Sequence, residues 1–426
     1  MKILIRNAKL ICPVQNIDDF KDIVIEDEKI LDIVSPNSAH SPHFDKIIDG
    51  TNLIAAPGLV DMHTHLREPG QEGRETIATG TKAAAAGGYT SVTAMPNTTP
   101  TIDNAYVTEY IKTKAQREGI VGVNIIGAIT MERKGETLAE IGEMFKAGII
   151  GVSDDGNCVM NSYVMRKAMD YCKQFDLLVI DHCEDVNLKG QGVMNEGFNS
   201  MQLGLRGIPK ASEEIMVTRD IALSQHTGCR THIAHVSTLG SVHFIKEGKS
   251  RGAKVTAEVT PQHLFLSDDE VKSYNPNTKV SPPLRNPEDN SALIDGLKDG
   301  TIDAIATDHA PHSMEQKDLE FQLADSGIIG LETALSLCLR LVHSGDLSLM
   351  QLIRVMSTNP ARILGIQGGS LERGKPANII LFNKDEAWTY KEENIISKSK
   401  NSPFINTTFK GKVKHTIYKG KVVYGY

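Results

Sequence analysis

The chain has 426 residues, 40% of them hydrophobic, and a formal net charge of −7 at pH 7. This length allows one large domain with a smaller one beside it, and a sizeable apolar core. Because the charge is negative and no stretch is dense in Lys and Arg, the sequence argues against nucleic acid or an anionic membrane surface as the main partner.

The opening segment, MKILIRNAKLICPV, alternates apolar and polar residues and lacks the continuous apolar core of a signal peptide. No stretch approaches the length of a membrane span. The six cysteines are scattered without a C-x-x-C pair, which favours reduced thiols over disulfides or a thiolate zinc site. We therefore expect a cytoplasmic protein.

Short apolar runs alternate with helical patterns from Ala56 to Ile363, the order typical of repeated βα units. An alanine-rich segment, 75–88, has the composition of a helix closed by glycines. The pattern predicts an α/β fold, a (β/α)8 barrel over residues 56–365. Its candidate strands are Leu59–His65, Thr90–Met95, Val121–Gly127, Ile149–Ser153, Leu177–His182, Thr231–Val236, Lys254–Thr260 and Ile302–Asp308.

Both ends of the chain differ from this pattern. Residues 2–49 and 374–426 hold short alternating segments separated by Gly and Asn turns, as β structure would. Neither end is large enough to bury a good core alone. We predict that residues 1–55 and 366–426 together form one small composite β-sandwich domain beside the barrel.

Polar residues collect where the predicted barrel strands end, which is where barrel enzymes build their active sites. Each alone is more often structural, since a single histidine usually packs and Asp-Asp-Gly is usually a turn. Together, four histidines and two carboxylates would meet at one rim, and burying them without a cation would be unfavourable. Period-two spacing also places His63, His65 and Arg67 on one face of the first strand.

Imidazole and carboxylate ligands without thiolate suit Zn²⁺, Co²⁺ or Mn²⁺. Six ligands are too many for one catalytic zinc and fit two ions that share a carboxylate and activate a water near neutral pH. One aspartate of the Asp154-Asp155 pair would form the bridge. The predicted ligands are His63, His65 and Asp308 for the first ion, and His182 and His235 for the second.

Motifs that carry a family resemblance are spread over nearly the whole chain. They are PGLVDMHTHLREPGQE (57–72), AMPNT (94–98), SDDG (153–156), DHCED (181–185), AHVST (234–238), AEVTPQHL (257–264), SPPLR (281–285) and IATDHAPH (305–312). Together they resemble the dihydroorotases of the amidohydrolase superfamily, in the bacterial class whose bridging ligand is an aspartate instead of a carbamylated lysine. The resemblance implies two zinc ions per subunit and reversible ring closure of N-carbamoyl-L-aspartate to L-dihydroorotate in pyrimidine synthesis.

Site roles follow partly from this resemblance. It implies that Asp155 is the bridging ligand, and the metal edge suits Asp308 as the catalytic group that accepts and returns a proton. Arg67 offers a fork able to bind the unreactive substrate carboxylate. The resemblance adds further substrate-binding residues, which are His65, Asn97, His312 and Gly327, together with Ser281 and Ser326, where relatives often carry asparagine and an aromatic residue.

Several alternatives stay open at this point. Arg67 could instead form a surface salt bridge with Glu68 or Glu72, and residues 312–329 could be a loop over the site or a plain surface excursion. The remaining histidines, among them His40 and His232, are interpreted as surface or packing residues, with His309 the first candidate for a supporting role.

Competing functions also remain. A hydantoinase or allantoinase would open related cyclic amides on the same scaffold, but those enzymes usually bridge their metals with a modified lysine, and SDDG offers none. A non-catalytic subunit that scaffolds aspartate transcarbamoylase would be expected to have lost metal ligands. The expected partners are a small-molecule substrate and a second copy in a homodimer, with association with aspartate transcarbamoylase left open.

Overall fold

The structure, a computed structural model, describes residues 1–38 and 43–425, so the predicted surface or packing position of His40 lies outside the described residues. Its strands, in chain order, are β1 (Lys2–Cys12), β2 (Ile17–Glu26), β3 (Lys29–Val34), β4 (Lys46–Asp49), β5 (Ile54–Pro57), β6 (Leu59–Thr64), β7 (Tyr89–Ala94), β8 (Gly122–Gly127), β9 (Gly151–Val152), β10 (Leu178–Asp181), β11 (Met194–Asn195), β12 (Gly207–Ile208), β13 (Thr231–Ile233), β14 (Val255–Val259), β15 (Ala304–Ile305), β16 (Ile379–Thr389), β17 (Thr408–Tyr418) and β18 (Lys421–Tyr424).

The α-helices of the same residues lie mostly between barrel strands. They are α1 (Ile77–Ala86), α2 (Ala105–Glu118), α3 (Ile141–Ala147), α4 (Ser162–Cys172), α5 (Val186–Lys189), α6 (Phe198–Leu203), α7 (Ala211–Thr227), α8 (Leu239–Ser250), α9 (Pro261–Phe265), α10 (Pro287–Asp299), α11 (Met314–Lys317), α12 (Ala334–His343), α13 (Leu349–Ile353) and α14 (Asn359–Leu364). Among the described helices, none combines the length and apolar character that crossing a bilayer requires.

Eight parallel strands form a nearly closed barrel, in the order β6, β7, β8, β9, β10, β13, β14 and β15. Parallel bridges from His309 to Thr64 and to Ile328 bring the end of the last strand beside the first. The predicted (β/α)8 barrel is therefore confirmed. The last strand ends at Ile305, earlier than predicted. The Thr307 N–H and hydroxyl donate to the Asp61 carboxylate, so this N–H does not donate to a backbone carbonyl of a neighbouring strand.

The alanine-rich segment forms α1, as predicted. The Thr76 side chain accepts a hydrogen bond from Thr79 N, which caps the first turn, and Gly87 follows the last. The helix buries Ile77 and three alanines, Ala83, Ala84 and Ala85, against the barrel. Full burial of one isoleucine side chain stabilises a fold by roughly 1.5–3 kcal/mol, so this short helix is held mainly by packing.

The strands from the two ends of the chain form a second sheet, in the order β18, β17, β16, β5, β1, β2 and β3, with β4 paired to β1. β5 joins the two ends, because it pairs in parallel with β1 and antiparallel with β16. One core, which includes Ile3, Ile23 and Leu381, lies between them. The expectation of a composite domain is confirmed; the proposed divisions at 55/56 and 365/366 stay predictions.

Candidate active site

Six predicted ligand side chains come together at the carboxyl end of the barrel. His63 Nε2 is 3.1 Å from Asp155 Oδ1 and 3.7 Å from Asp308 Oδ1. His65 Nε2 is 3.0 Å from Asp308 Oδ1, and His235 Nε2 is 3.9 Å from Asp155 Oδ1. Carboxylate oxygens and imidazole nitrogens from four strands therefore surround one small buried space. We call this group of side chains the ligand cluster.

The sixth predicted ligand, His182, lies at the edge of the ligand cluster. Its Nδ1 is 2.8 Å from His235 Nε2, and the two rings meet edge to face. Its Nε2 is 3.4 Å from a carboxylate oxygen of Glu184. The nitrogens that His182 and His235 turn toward each other are therefore the pair that could bind a common ion.

The ligand cluster fits metal ions by its donor chemistry. Ligating atoms of His63, Asp155 and His235 lie within 4.8 Å of one another, and so do those of His63, His65 and Asp308. His63 Nε2 is buried without a hydrogen-bond partner among the described residues, although it faces two carboxylates. Two overlapping sets of nitrogen and oxygen donors are what two neighbouring divalent ions would require.

Charges within the ligand cluster keep both carboxylates and His235 in their ligating forms. By contrast, Asp155 and Glu258 raise the pKa of His63 well above its usual value against the effect of burial, so that imidazole has to lose a proton to bind a metal. Burial by itself raises the pKa of the Asp155 carboxyl, but the imidazoles of His63 and its neighbours hold that pKa well below its usual range. The pKa of Asp308 is likewise lowered by His65 and His63 against the effect of burial. Burial and the nearby His182 lower the pKa of His235 to about 3. Ionised carboxylates and a neutral imidazole are the states that bind metals.

Two buried acids that the sequence analysis missed orient His63. Glu258 Oε1 lies 2.8 Å from His63 Nδ1, and its other oxygen lies 3.3 Å from His232 Nε2. With Nδ1 paired to this carboxylate, Nε2 is left to face the ligand cluster. Asp61 accepts from His63 N and from Thr307, so it ties the first strand to the last. The same period-two spacing that selected His63 would have found Asp61.

The two aspartates of the Asp154-Asp155 pair point in different directions. Asp154 Oδ1 accepts hydrogen bonds from the N–H groups of Ile129 (2.8 Å) and Thr130 (3.0 Å). Asp155 instead faces His63. The geometry therefore leaves only Asp155 of the pair within reach of the ligand cluster, and Asp154 orients the turn.

Asn97 contacts the ligand cluster directly. Its Oδ1 is 2.8 Å from His65 Nδ1, and its Nδ2 donates to Asp155 Oδ2 at 3.3 Å. This contact leaves His65 Nε2 directed at Asp308. Asn97, predicted as a substrate-binding residue, thus also holds two predicted metal ligands.

The prediction that Arg67 shares a strand face with His63 and His65 is wrong. β6 ends at Thr64, and Arg67 has a left-handed φ of 61° because the chain turns away from the strand. Its buried guanidinium donates from Nε to Pro311 O (3.1 Å) and from Nη2 to His312 Nε2 (3.3 Å). Glu68 pairs with Lys114 instead. Arg67 therefore lines the site interior.

We use the name carboxylate pocket for Arg67, Asn97 and His312, the residues predicted to bind the unreactive substrate carboxylate, of which Arg67 and His312 are in contact. Burial lowers the pKa of His312 to about 4, so its Nε2 is free to accept from Arg67 near neutral pH. Gly327, with a φ of 142°, packs against this imidazole, and a Cβ there would lie 2.9 Å from His312 Nε2. A glycine is thus required both by the backbone and by the space.

The two serines that depart from the family pattern lie at different places. The Ser281 hydroxyl donates weakly to Glu184 Oε1 (3.5 Å) and lies 3.4 Å from Lys189 Nζ, on the His182 side of the ligand cluster. Ser326 is partly buried beside Gly327. Substrate contacts by either serine stay predictions.

Residues 312–329 are held down by two buried lysines. Lys317 Nζ donates to Asp325 O (2.7 Å) and Gly327 O (3.2 Å). Lys279 Nζ donates to Ala324 O (2.7 Å) and to Gln322 O (2.9 Å). The C-terminal part of this stretch is therefore packed against the site.

Three of the predicted site residues have a left-handed backbone conformation. Arg67, His235 and Asp308 have φ angles of 61°, 30° and 48°. Such conformations are unfavourable for side chains with a Cβ, by about 1–3 kcal/mol each, and persist where the surroundings impose them. His235 and Asp308 follow the ends of β13 and β15, and their side chains face the ligand cluster.

Comparison with known proteins places this chain among relatives that share the family expected from its motifs. Residues 52–241 match the family model Dihydro-orotase-like, and residues 339–424 match the Amidohydrolase family model. The dihydroorotase of Geobacter metallireducens is 50% identical over 424 residues, with 100% of both chains covered. That of Endomicrobium trichonymphae is 51% identical over 426 residues, again with 100% of both chains covered.

Solved structures with the same architecture carry other names. The L-hydantoinase (dihydropyrimidinase) from Arthrobacter aurescens has a TM-score of 0.89 at 26% identity and covers 99% of this chain and 96% of its own. The dihydropyrimidinase from Brevibacillus agri has a TM-score of 0.85 at 23% identity, with coverages of 100% and 95%, and indicates the fold alone.

Proposed function

Because the chain belongs to the dihydroorotase family of amidohydrolase enzymes, we propose that it interconverts N-carbamoyl-L-aspartate and L-dihydroorotate. The observation that carries the proposal is the ligand cluster with a buried arginine, Arg67, beside it. The cluster suits hydrolysis of an amide, and the guanidinium suits a substrate with an additional carboxylate.

We propose that two zinc ions occupy the ligand cluster. His63, His65 and Asp308 would hold the first, His182 and His235 the second, and Asp155 both. When bound, such ions activate water and polarise the amide carbonyl. Glu258 and Asn97 would keep the imidazoles of His63 and His65 in the ligating orientation, as their contacts of 2.8 Å support.

Asp308 is the proposed proton carrier. Its carboxylate is ionised, because the pKa is held low by His65 and His63, and it projects from the end of the last barrel strand. In ring opening it would take a proton from the attacking water and deliver it to the departing nitrogen. In ring closure it would take the proton from the carbamoyl nitrogen, so one carboxylate serves both directions.

Arg67 and His312 are proposed to bind the carboxylate that does not react. Burial lowers the pKa of Arg67 only to about 10, so the guanidinium remains charged near neutral pH. Its Nη2, which donates to His312 Nε2, could be shared with an incoming carboxylate. Asn97, which contacts His65 and Asp155 of the ligand cluster, is proposed to bind the same carboxylate.

A hydantoinase is the competing function that the fold similarity raises. The curated relatives of full length argue against it, and so does the carboxylate pocket, which hydantoin and dihydrouracil would leave unpaired. We expect the metal-loaded chain to hydrolyse L-dihydroorotate at least about 100-fold more efficiently, by kcat/KM, than either neutral ring. Equal efficiencies for all three substrates would contradict the proposal, and no turnover of dihydroorotate in either direction would refute it.

Replacing Arg67 by alanine should raise the KM for dihydroorotate by roughly 10- to 100-fold, because charge-assisted hydrogen bonds of about 1.5–3 kcal/mol are lost. Steady-state kinetics on wild type, Arg67→Ala and Arg67→Lys measure this change in KM. Arg67→Lys is the matched control, since it keeps the charge but not the planar fork, and we expect an intermediate KM. A wild-type KM in Arg67→Ala would remove the residue from substrate binding.

Other parts of the proposal depend on the family resemblance more than on the described contacts. A role in pyrimidine synthesis, a homodimer and a cytoplasmic location stay predictions, and association with aspartate transcarbamoylase stays open. The free, buried state of all six cysteines is compatible with a reducing compartment. A non-catalytic scaffold subunit is disfavoured, because the predicted ligands are all present and buried.

A further inference from the structure

One residue of the composite domain reaches into the barrel mouth. Asn401 belongs to the segment between β16 and β17, and its side chain is 4% exposed. Its Oδ1 accepts from His312 N (3.0 Å), and its Nδ2 donates to Ala310 O (2.9 Å) and Gly327 O (3.1 Å). One amide therefore joins two stretches of the barrel, 310–312 and 327–329.

Both stretches shape the carboxylate pocket. The first carries His312, and its Pro311 carbonyl accepts from Arg67 Nε at 3.1 Å. The second carries Gly327, whose close approach leaves His312 no spare room. A change in the separation of these two stretches would therefore move the imidazole and the guanidinium together.

The segment that carries Asn401 has its own attachments to the barrel. The Ser399 hydroxyl donates to Arg74 O at 2.6 Å, and Lys398 N donates to Glu75 Oε1 at 3.2 Å. The Asn401 carbonyl also accepts from Ile329 N at 3.0 Å. Because these contacts do not use the Asn401 side chain, its removal should leave the segment in place and act locally.

We infer that Asn401 is a positioning residue for the carboxylate pocket, through which the composite domain contributes to substrate binding. The inference rests on the proposed function. An asparagine is suited to the position because one side chain supplies an acceptor to an N–H and donors to two carbonyls. Aspartate would keep the acceptor but turn a charge toward the Ala310 and Gly327 carbonyls.

The test is steady-state kinetics on dihydroorotate with metal-loaded wild type, Asn401→Ala and Asn401→Asp. We expect Asn401→Ala to raise KM about tenfold, because the three buried hydrogen bonds that position the pocket are lost, with kcat within about threefold of wild type. Asn401→Asp should raise KM at least as much. The metal content and Tm of Asn401→Ala are measured as well. A general structural defect would lower both, and its effect on the kinetics would not be confined to KM.

Asn383→Ala is the control, since the Asn383 side chain also bonds only backbone groups, accepting from two N–H groups, but lies on β16. Its KM should equal that of wild type. An unchanged KM in Asn401→Ala, or a fall in kcat alone, would overturn the role of Asn401. If that variant does not fold, Asn401→Ser is held to the same criteria. Inactive wild type would contradict the proposed function instead.

Discussion

Asp308→Asn is expected to lower kcat by about three orders of magnitude, within the range of roughly 10²–10⁴ found for loss of a general acid–base group. An amide has nearly the shape of the carboxylate but cannot take up the proton that ring opening and ring closure each transfer. The buried hydrogen bond to His65 Nε2 at 3.0 Å can be kept by the amide oxygen, so the fold should survive. Kinetics in both directions measure the loss.

The control for this variant lies on the same strand region. Asp303 precedes β15, and its carboxylate pairs with Lys249 Nζ at 2.6 Å, away from the ligand cluster. Asp303→Asn should keep kcat close to that of wild type. Metal analysis of Asp308→Asn is needed as well, since the residue is also a predicted ligand. Wild-type turnover in Asp308→Asn with its metal retained would remove Asp308 from the mechanism.

Removing the metal with a chelator is expected to abolish measurable turnover and to lower Tm by several degrees. Asp155 and Asp308 are both buried beside the same imidazoles. Without a bound metal ion, the two buried carboxylates lose the positive charge that would neutralise them, which is unfavourable. An ion bound only by the folded state at 1,000 times its Kd adds about 4 kcal/mol to the free energy of unfolding. Activity and thermal denaturation before and after chelation measure both effects.

Reconstitution makes this prediction specific. Adding Zn²⁺, Co²⁺ or Mn²⁺ to the chelated protein should restore turnover, with two ions bound per chain at saturation. Asp155→Asn, which alters the proposed bridging ligand, should bind fewer ions. The control is His243→Asn, at an exposed histidine, and it should bind as many ions as wild type. Full activity after complete chelation would show that the ligand cluster does not act through metal.

The contrast between Arg67 and His63 illustrates which features were readable from sequence. His63 lies within β6 and His65 comes directly after its last residue, Thr64, so their convergence was predictable from local spacing. Arg67 does not follow this spacing, because the chain leaves β6 at Thr64 and turns through a left-handed residue before reaching Pro311 and His312. Spacing along a strand predicts side-chain direction only as far as the strand continues.

The sequence by itself determined the barrel order, the union of both ends in one composite sheet, and the residues expected at the carboxyl rim. These features follow from local periodicity and from the rule that parallel strands present their ends at one face. The family resemblance already implied Asp155 over Asp154 as the bridging ligand. Only the tertiary structure decided that Glu258 and Asp61 orient His63 and that Asn401 joins the pocket. Those contacts join residues far apart in the chain, and their geometry depends on packing that no local pattern encodes.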